Sequence, residues 1–169
     1  NGTVTIASAD DGIKSKTAIT IDNATVNITN SIEGIEAPFI TINSGNVSVK
    51  SSDDSYNATF GNGGETNDGS LLKIDGGNVV ANTTGGDGLD SNGNIIINGG
   101  TTIVHGPPSA PEVGMDFNGT CNVNGGFLVV SGTNSNMTQA PNASSAQRSV
   151  LAKSNTMLSS STLFHMQDA

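Results

Sequence analysis

The sequence predicts an all-β chain folded as a parallel β-helix, a solenoid of about five to six coils, on three observations. Five segments repeat one strand–corner–strand pattern. An acidic turn recurs in phase with them. The composition is rich in glycine, with 22 residues, and poor in aromatics, at 4% with no Trp. That suits a narrow core of stacked aliphatic side chains and is too little for an ordinary globular core. Ile and Val in short alternating runs argue against disorder, and 169 residues suit a single domain spanning the chain, with repeat coils over 1–131 and a cap over 132–169.

The repeats come first. Residues 19–28 (ITIDNATVNI), 40–49 (ITINSGNVSV), 72–81 (LKIDGGNVVA), 95–104 (IIINGGTTIV) and 121–130 (CNVNGGFLVV) each run as an apolar alternation, an Asp or Asn, two small or turn-forming residues, and a second alternation. The opening NGTVTI reads as the second half of a sixth copy. Starts lie 21, 32, 23 and 26 residues apart, a period that marks a solenoid. Period-2 alternation, β-branched residues and glycines exclude a helical repeat.

The acidic turns are Asp10-Asp11-Gly12-Ile13, Ile32-Glu33-Gly34-Ile35-Glu36, Asp53-Asp54-Ser55-Tyr56 and Gly86-Asp87-Gly88-Leu89-Asp90, while Val113-Gly114-Met115-Asp116 keeps only the later acid. One coil is then about 22 residues, the length of one rung stacked about 4.8 Å from the next. Stacking satisfies the backbone except at the ends. The expected inward ladders are Ile19, Ile21, Val26 and Ile28, then Ile40, Ile42, Val47 and Val49, then Leu72, Ile74 and Val79, then Ile95, Ile97 and Ile103.

Two insertions leave the coil. Residues 55–71 form a Gly/Asn/Thr loop, and residues 105–112 carry Pro107, Pro108 and Pro111, which a central strand does not accept. After Ser131 the pattern stops. The tail over 132–169 is expected to form a strand pair that covers the open end.

Stacking places Asp11, Glu33, Asp54 and Asp87 in one column, and Lys14, Glu36, Asn57, Asp90 and Asp116 in the next. Carboxylates about 5 Å apart repel by roughly 1 kcal/mol in water and more where solvent is excluded. A compensating cation is expected, and calcium, a hard ion that takes 6–8 oxygens, is the natural one. The candidate metal ligands are Asp10, Asp11, Glu33, Glu36, Asp53, Asp54, Asp87, Asp90 and Asp116, with the Asp87/Asp90 pair as the best single site beside Glu36, Asn57 and Asp116. The simpler alternative is a solvated turn in which Asp-Gly only makes the corner. Lys14 reads as a neutralising partner of the acidic column rather than a catalytic base.

A formal net charge of −9 disfavours nucleic acid and anionic lipid as partners. No stretch is long and apolar enough to span a membrane. The chain opens in mid-pattern, as a mature or trimmed piece would. His105 and His165 lack metal spacing, and Cys121 falls at a strand start equivalent to Ile95, a buried thiol position. Phe39, Tyr56 and Phe60 are candidates for stacking on sugar rings or for ordinary burial. Asn-x-Ser/Thr sequons stand at Asn1, Asn23, Asn27, Asn46, Asn57, Asn82, Asn118, Asn136 and Asn142, glycosylation candidates only in a secreted chain of a glycosylating cell.

The stretches SADDGIKS, GGDGLDSNGNIIINGGTTIVHGP and MTQAPNASSAQRSVLAKSNTMLSSSTLFHMQD together resemble the extracellular carbohydrate-binding β-helix family first described in cellulolytic clostridia, which is similar to calcium-dependent pectate lyases. The resemblance covers nearly the whole chain, and its specific parts are Gly-Asp-Gly-Leu-Asp-Ser and the Gln-Ala-Pro tail. It implies a right-handed helix, bound calcium at the acids named above, an extracellular or cell-surface location, and affinity for acidic polysaccharide such as polygalacturonate without established lyase turnover. A self-assembling, glycosylated surface filament of coils stacked head to tail is the alternative, because the half coil at residue 1 would expose an unpaired strand edge; a pectate-lyase-like enzyme is the less favoured one.

Overall fold

The structure, a computed structural model, describes residues 2–159 and 161–163. Asn1 and His165 therefore lie outside the described residues. The chain is an all-β parallel solenoid of about six turns with no helix among the described residues, and hence none long and apolar enough to cross a membrane.

Three parallel sheets form its walls. The first holds β1 (Thr3–Ala7), β4 (Ala24–Asn30), β7 (Gly45–Ser51), β10 (Asn78–Thr83), β13 (Thr101–His105) and β16 (Phe127–Ser131), in that order. The second holds β2 (Ile13–Lys14), β5 (Ile35–Ala37), β8 (Tyr56–Ala58), β11 (Leu89–Ser91) and β14 (Met115–Phe117). The third holds β3 (Ala18–Ile21), β6 (Phe39–Ile42), β9 (Leu71–Ile74), β12 (Asn94–Ile97) and β15 (Cys121–Val123). Each rung thus passes from acidic turn to second sheet, then third sheet, Asn-Gly-Gly corner and first sheet. Each strand bonds to its counterpart in the neighbouring rung, as the in-phase repeats require.

Alternation decides what is inside. Ile40, Leu72, Ile95 and Cys121 stack in register, as do Ile42, Ile74, Ile97 and Val123, and all eight are at most 1% exposed. The second sheet contributes Ile35, Tyr56, Leu89 and Met115. Ile19 belongs to the ladder but stays half-buried, being in the first full rung. Ile103 does not belong to it. The register sets Val79 beside Thr102 and Ala81 beside Val104, so Ile103 faces outward and Thr102 and Val104 are buried. Counting from the corner, not apolarity, fixes the phase.

The corner explains the Asn-Gly-Gly signature. Gly45, Gly77, Gly100 and Gly126 have φ of 106°, 85°, 79° and 89°, the left-handed region that a side chain disfavours. In the first full rung Ala24 occupies the register of Gly45, and the left-handed residue moves one position back to Asn23, at φ 52°. Asparagine tolerates that geometry and alanine does not.

Two boundaries need correction. The first insertion is shorter than residues 55–71, because Tyr56–Ala58 pairs in the second sheet with Tyr56 and Ala58 fully buried; the chain leaves the coil only over 59–70. The tail forms no strand pair among the described residues. It covers the last rung by single hydrogen bonds from irregular chain. The Gln139 side chain accepts from Phe117 N and donates to Phe117 O, at 2.9 and 3.1 Å. Asn142 Oδ1 accepts from Cys121 N at 2.7 Å, and Asn142 N and Gln147 N donate to Cys121 O and Val123 O. Side-chain amides here do what a covering strand would do, and so β14 and β15 are covered without a period-2 pattern in the tail.

Candidate functional site

The two acidic columns form as stacking requires. Pairing sets Lys14, Glu36, Asn57, Asp90 and Asp116 in one line. One position outside the strands, Gly12, Gly34, Ser55 and Gly88 donate N–H to Glu33, Asp54, Asp87 and Val113 carbonyls respectively. Asp11, Glu33, Asp54 and Asp87 are thus the second line, and Val113 takes the place of an acid in the fifth turn. The glycines before the strands are steric necessities. A Cβ on Gly88 would stand 2.2 Å from Val104 Cγ1 and 2.6 Å from Gly114 O.

Along the columns the acids divide into three groups. At the first rungs, Lys14 Nζ lies 2.8 Å from both Asp11 and Glu36. Hydrogen bonds with Asp11 and then Glu36 raise the Lys14 pKa, holding its proton more firmly. Lys14 is therefore a neutralising partner and an unsuitable base, and Glu36 is committed to it rather than to Asp87 and Asp90. Asp10 is exposed at the margin. The second group is Glu33, Asp53 and Asp54, and the third is Asp87, Asp90 and Asp116; within each, one carboxylate oxygen per residue lies within 4.8 Å of the others.

Asp53 and Asp54 of the second group meet the third in one cleft of about 140 Å³, lined by Asp53, Asp54, Asp87, Asp90 and Asp116 together with Glu65, Asn92, Glu112 and Met137, while Glu33 stays outside the lining. Glu65 comes from the insertion over 59–70, Glu112 from the chain between β13 and β14, and Met137 from the tail. These three fell outside the repeat pattern because an insertion or tail has no phase from which to read its position. Asn118 Nδ2 donates to Glu65 Oε2 at 3.3 Å, which ties the insertion to the fifth rung.

The cleft lining holds no Lys, Arg or His, and burial therefore dominates its titration. Burial pushes Glu33 up to about 7, with Asp53 adding to it. Burial likewise pushes Asp54 to about 8, Asp87 to about 8 and Asp90 to about 9, with neighbouring carboxylates raising each further. Asp116, 5% exposed, is raised by burial and then by Glu65. Two of these acids also serve the backbone: Asp54 Oδ1 accepts from Asp87 N at 2.6 Å, and Asp87 Oδ1 accepts from Val113 N at 2.5 Å. The turn-making role is thus real for one oxygen of each. It leaves the remaining oxygens, and all of Asp90, without a protein cation.

The donor set suits calcium. It is all oxygen, mostly carboxylate, with amides at hand, and hard-ion sites are built of such groups. Among the described residues Glu33 Oε2, Asn57 Oδ1, Asn118 Oδ1 and Thr102 Oγ1 are buried without a hydrogen-bond partner. Buried polar atoms are normally satisfied; the first three belong to the acidic edge or its flank, and Thr102 to the first sheet.

The other candidates fall as follows. Cys121 is a buried free thiol in register with Ile95, pushed up to about 12 by burial. His105 is exposed at the end of β13. Tyr56 is fully buried, whereas Phe39 and Phe60 are 42% and 45% exposed. Of the sequon asparagines, Asn23, Asn46, Asn82 and Asn136 are exposed, and Asn27, Asn57, Asn118 and Asn142 are half-buried.

No curated protein and no solved structure matches the chain. A family profile described as carbohydrate-binding domain-containing protein matches residues 1–167, which span the coils, the acidic cleft and the tail that covers them. Carbohydrate binding is the class of function this match supports, and on it the chain belongs to the family of carbohydrate-binding domain-containing proteins.

Proposed function

We propose that this protein binds acidic polysaccharide, such as polygalacturonate, through calcium held at its acidic edge, outside the cell or at its surface. The observation that carries the reading is the cleft in which Asp53, Asp54, Asp87, Asp90 and Asp116 converge with no basic side chain in the lining. A chain at −9 repels an anionic polymer directly. Asp87, Asp90 and Asp116 would hold one ion, and Glu33, Asp53 and Asp54, whose carboxylate oxygens also lie within 4.8 Å of one another, would hold another. Bound calcium would supply positive charge and open coordination positions for uronate carboxylates. Asp54 and Asp87 orient their free oxygens by fixing the others on backbone amides. A calcium-rich medium suits so open a site, and there the exposed Asn23, Asn46, Asn82 and Asn136 would be open to glycosylation.

Binding without turnover is favoured over a lyase because the amine once considered as a base, Lys14, is ion-paired with Asp11 and Glu36. The filament reading is weakened by the tail. Head-to-tail stacking on the last rung would have to displace Gln139, Asn142 and Gln147 from β14 and β15.

The test is calorimetric titration of polygalacturonate into the protein with calcium and with chelator, with absorbance followed for unsaturated product. Binding in calcium that chelator abolishes is expected. Binding that survives chelation overturns the calcium bridge, and steady product release overturns binding without turnover. Light scattering on the same samples checks assembly: a monomer mass is expected, and large particles would restore the filament.

A further inference from the structure

We infer that Phe39 and Phe60 form a second carbohydrate subsite, a platform on which the apolar face of a pyranose ring stacks beside the acidic edge. The inference rests on the carbohydrate-binding reading but not on calcium. Phe39 opens β6, three residues after Glu36 and just past Pro38 at the corner between the second and third sheets. Phe60 stands three residues after Asn57 in the next rung. Three residues of extended chain span at most about 10 Å, so the backbones of Phe39 and Phe60 lie within about 10 Å of those of Glu36 and Asn57 in the column. Their centroids lie 5.6 Å apart at 90°, an edge-to-face pair that fixes both rings.

Isolated exposed apolar residues are ordinary. This pair is different in its setting. The chain carries only five Phe and one Tyr, and Tyr56 and Phe117 are spent in the core. Phe39 and Phe60 nonetheless meet at the surface with more than two-fifths of each exposed. Phe39 is in register with Leu71, which extends the apolar strip.

Phe60 is also held in place. Asp68 Oδ2 accepts from Phe60 N at 2.9 Å, and Thr59 Oγ1 accepts from Gly61 N at 3.0 Å. The same insertion then crosses to the cleft, where Asn92 Nδ2 donates to Gly64 O at 3.2 Å and Glu65 joins the acids. One segment thus carries an aromatic face at its start and a carboxylate of the cation cleft in its middle. A uronate polymer offers matching chemistry, with carboxylates for a cation and ring C–H faces for an aromatic surface. Sites for such ligands combine apolar and aromatic walls with a few placed polar groups.

The test compares Phe60→Ala, Phe39→Ala and Phe60→Leu with the parent in calcium, using oligogalacturonate of defined length as the probe. Calorimetry gives affinity, and saturation-transfer NMR reports contact with the aromatic protons. Each alanine variant is expected to lose about tenfold in affinity and, with the edge-to-face partner gone, to fall only a few degrees in melting temperature. Phe60→Leu, which keeps apolar packing but has no ring face, is expected to lose nearly as much. Full affinity in both alanine variants, or full recovery in Phe60→Leu, would overturn the platform. Absence of oligogalacturonate binding by the parent would instead remove the acidic-polysaccharide reading on which the platform rests, so the two failures are distinguishable.

Discussion

Asp90→Asn should stabilise the calcium-free protein, contrary to the usual effect of changing a half-buried site residue. The Asp90 carboxylate accepts no hydrogen bond among the described residues, unlike those of Asp54 and Asp87, and lies within 4.8 Å of Asp87 and Asp116. At 4.8 Å two carboxylates repel by about 0.9 kcal/mol at the dielectric of water and about 3.5 kcal/mol at an effective dielectric of about 20. Asp90 is half-buried, which places the repulsion that an ionised Asp90 meets from one neighbour between these limits, at about 2 kcal/mol. Burial penalises the charge further and the native state escapes by keeping the proton, a cost that Asn does not bear; the gain is then at least about 4–8 °C in melting temperature for a chain of this size. Its size depends on pH. Burial raises Glu33 to about 7, Asp54 and Asp87 to about 8 and Asp90 to about 9. Between about pH 4 and 9 the native state therefore holds protons that the unfolded chain has released, and stability without calcium falls as pH rises through that window. Melting in chelator at pH 8 and pH 4 is the assay. Asp90→Asn should melt above the parent at pH 8 and level with it at pH 4, and saturating calcium at pH 8 should reverse the order. No gain at pH 8, or the same gain at both pH values, would refute the reasoning.

Calcium binding should release protons and tighten from pH 5 to pH 8, because the raised carboxyls must ionise to ligate; calorimetry in buffers of different ionisation enthalpy measures the release. Val104→Ala should cost about 2 kcal/mol in urea unfolding through its core position, while Ile103→Thr, on the outer face, should cost under about 0.5 kcal/mol. Asn142→Ala should cost about 1–3 kcal/mol by stripping the Cys121 amide of its acceptor; hydrogen exchange should show the loss concentrated at β15.

The coil pattern was legible because stacking in phase makes each rung restate the last. Five separate copies fixed the sheets, the corners and both acidic columns. Errors fell where a residue's type and its phase disagree. Ile103 is more apolar than Thr102, yet the corner count puts Thr102 inside. Tyr56 reads as a loop residue beside Asn57 but fills an Ile/Leu ladder position. Glu65, Glu112 and Met137 reach the cleft by folding back of irregular chain, which no period encodes. The tail was recognisable as a cover but not as one made by Gln139, Asn142 and Ser145 side chains, because single hydrogen bonds leave no alternation to read. Lys14 was read as a neutralising partner from its column, and it makes two ion pairs there.

Diffraction from crystals grown with calcium would show whether the acidic edge holds the ion. Anomalous density between Asp87, Asp90 and Asp116, with oxygens at about 2.3–2.6 Å, is the result expected, with a further ion at Glu33, Asp53 and Asp54. A well-ordered edge in millimolar calcium with only water among these carboxylates would contradict it.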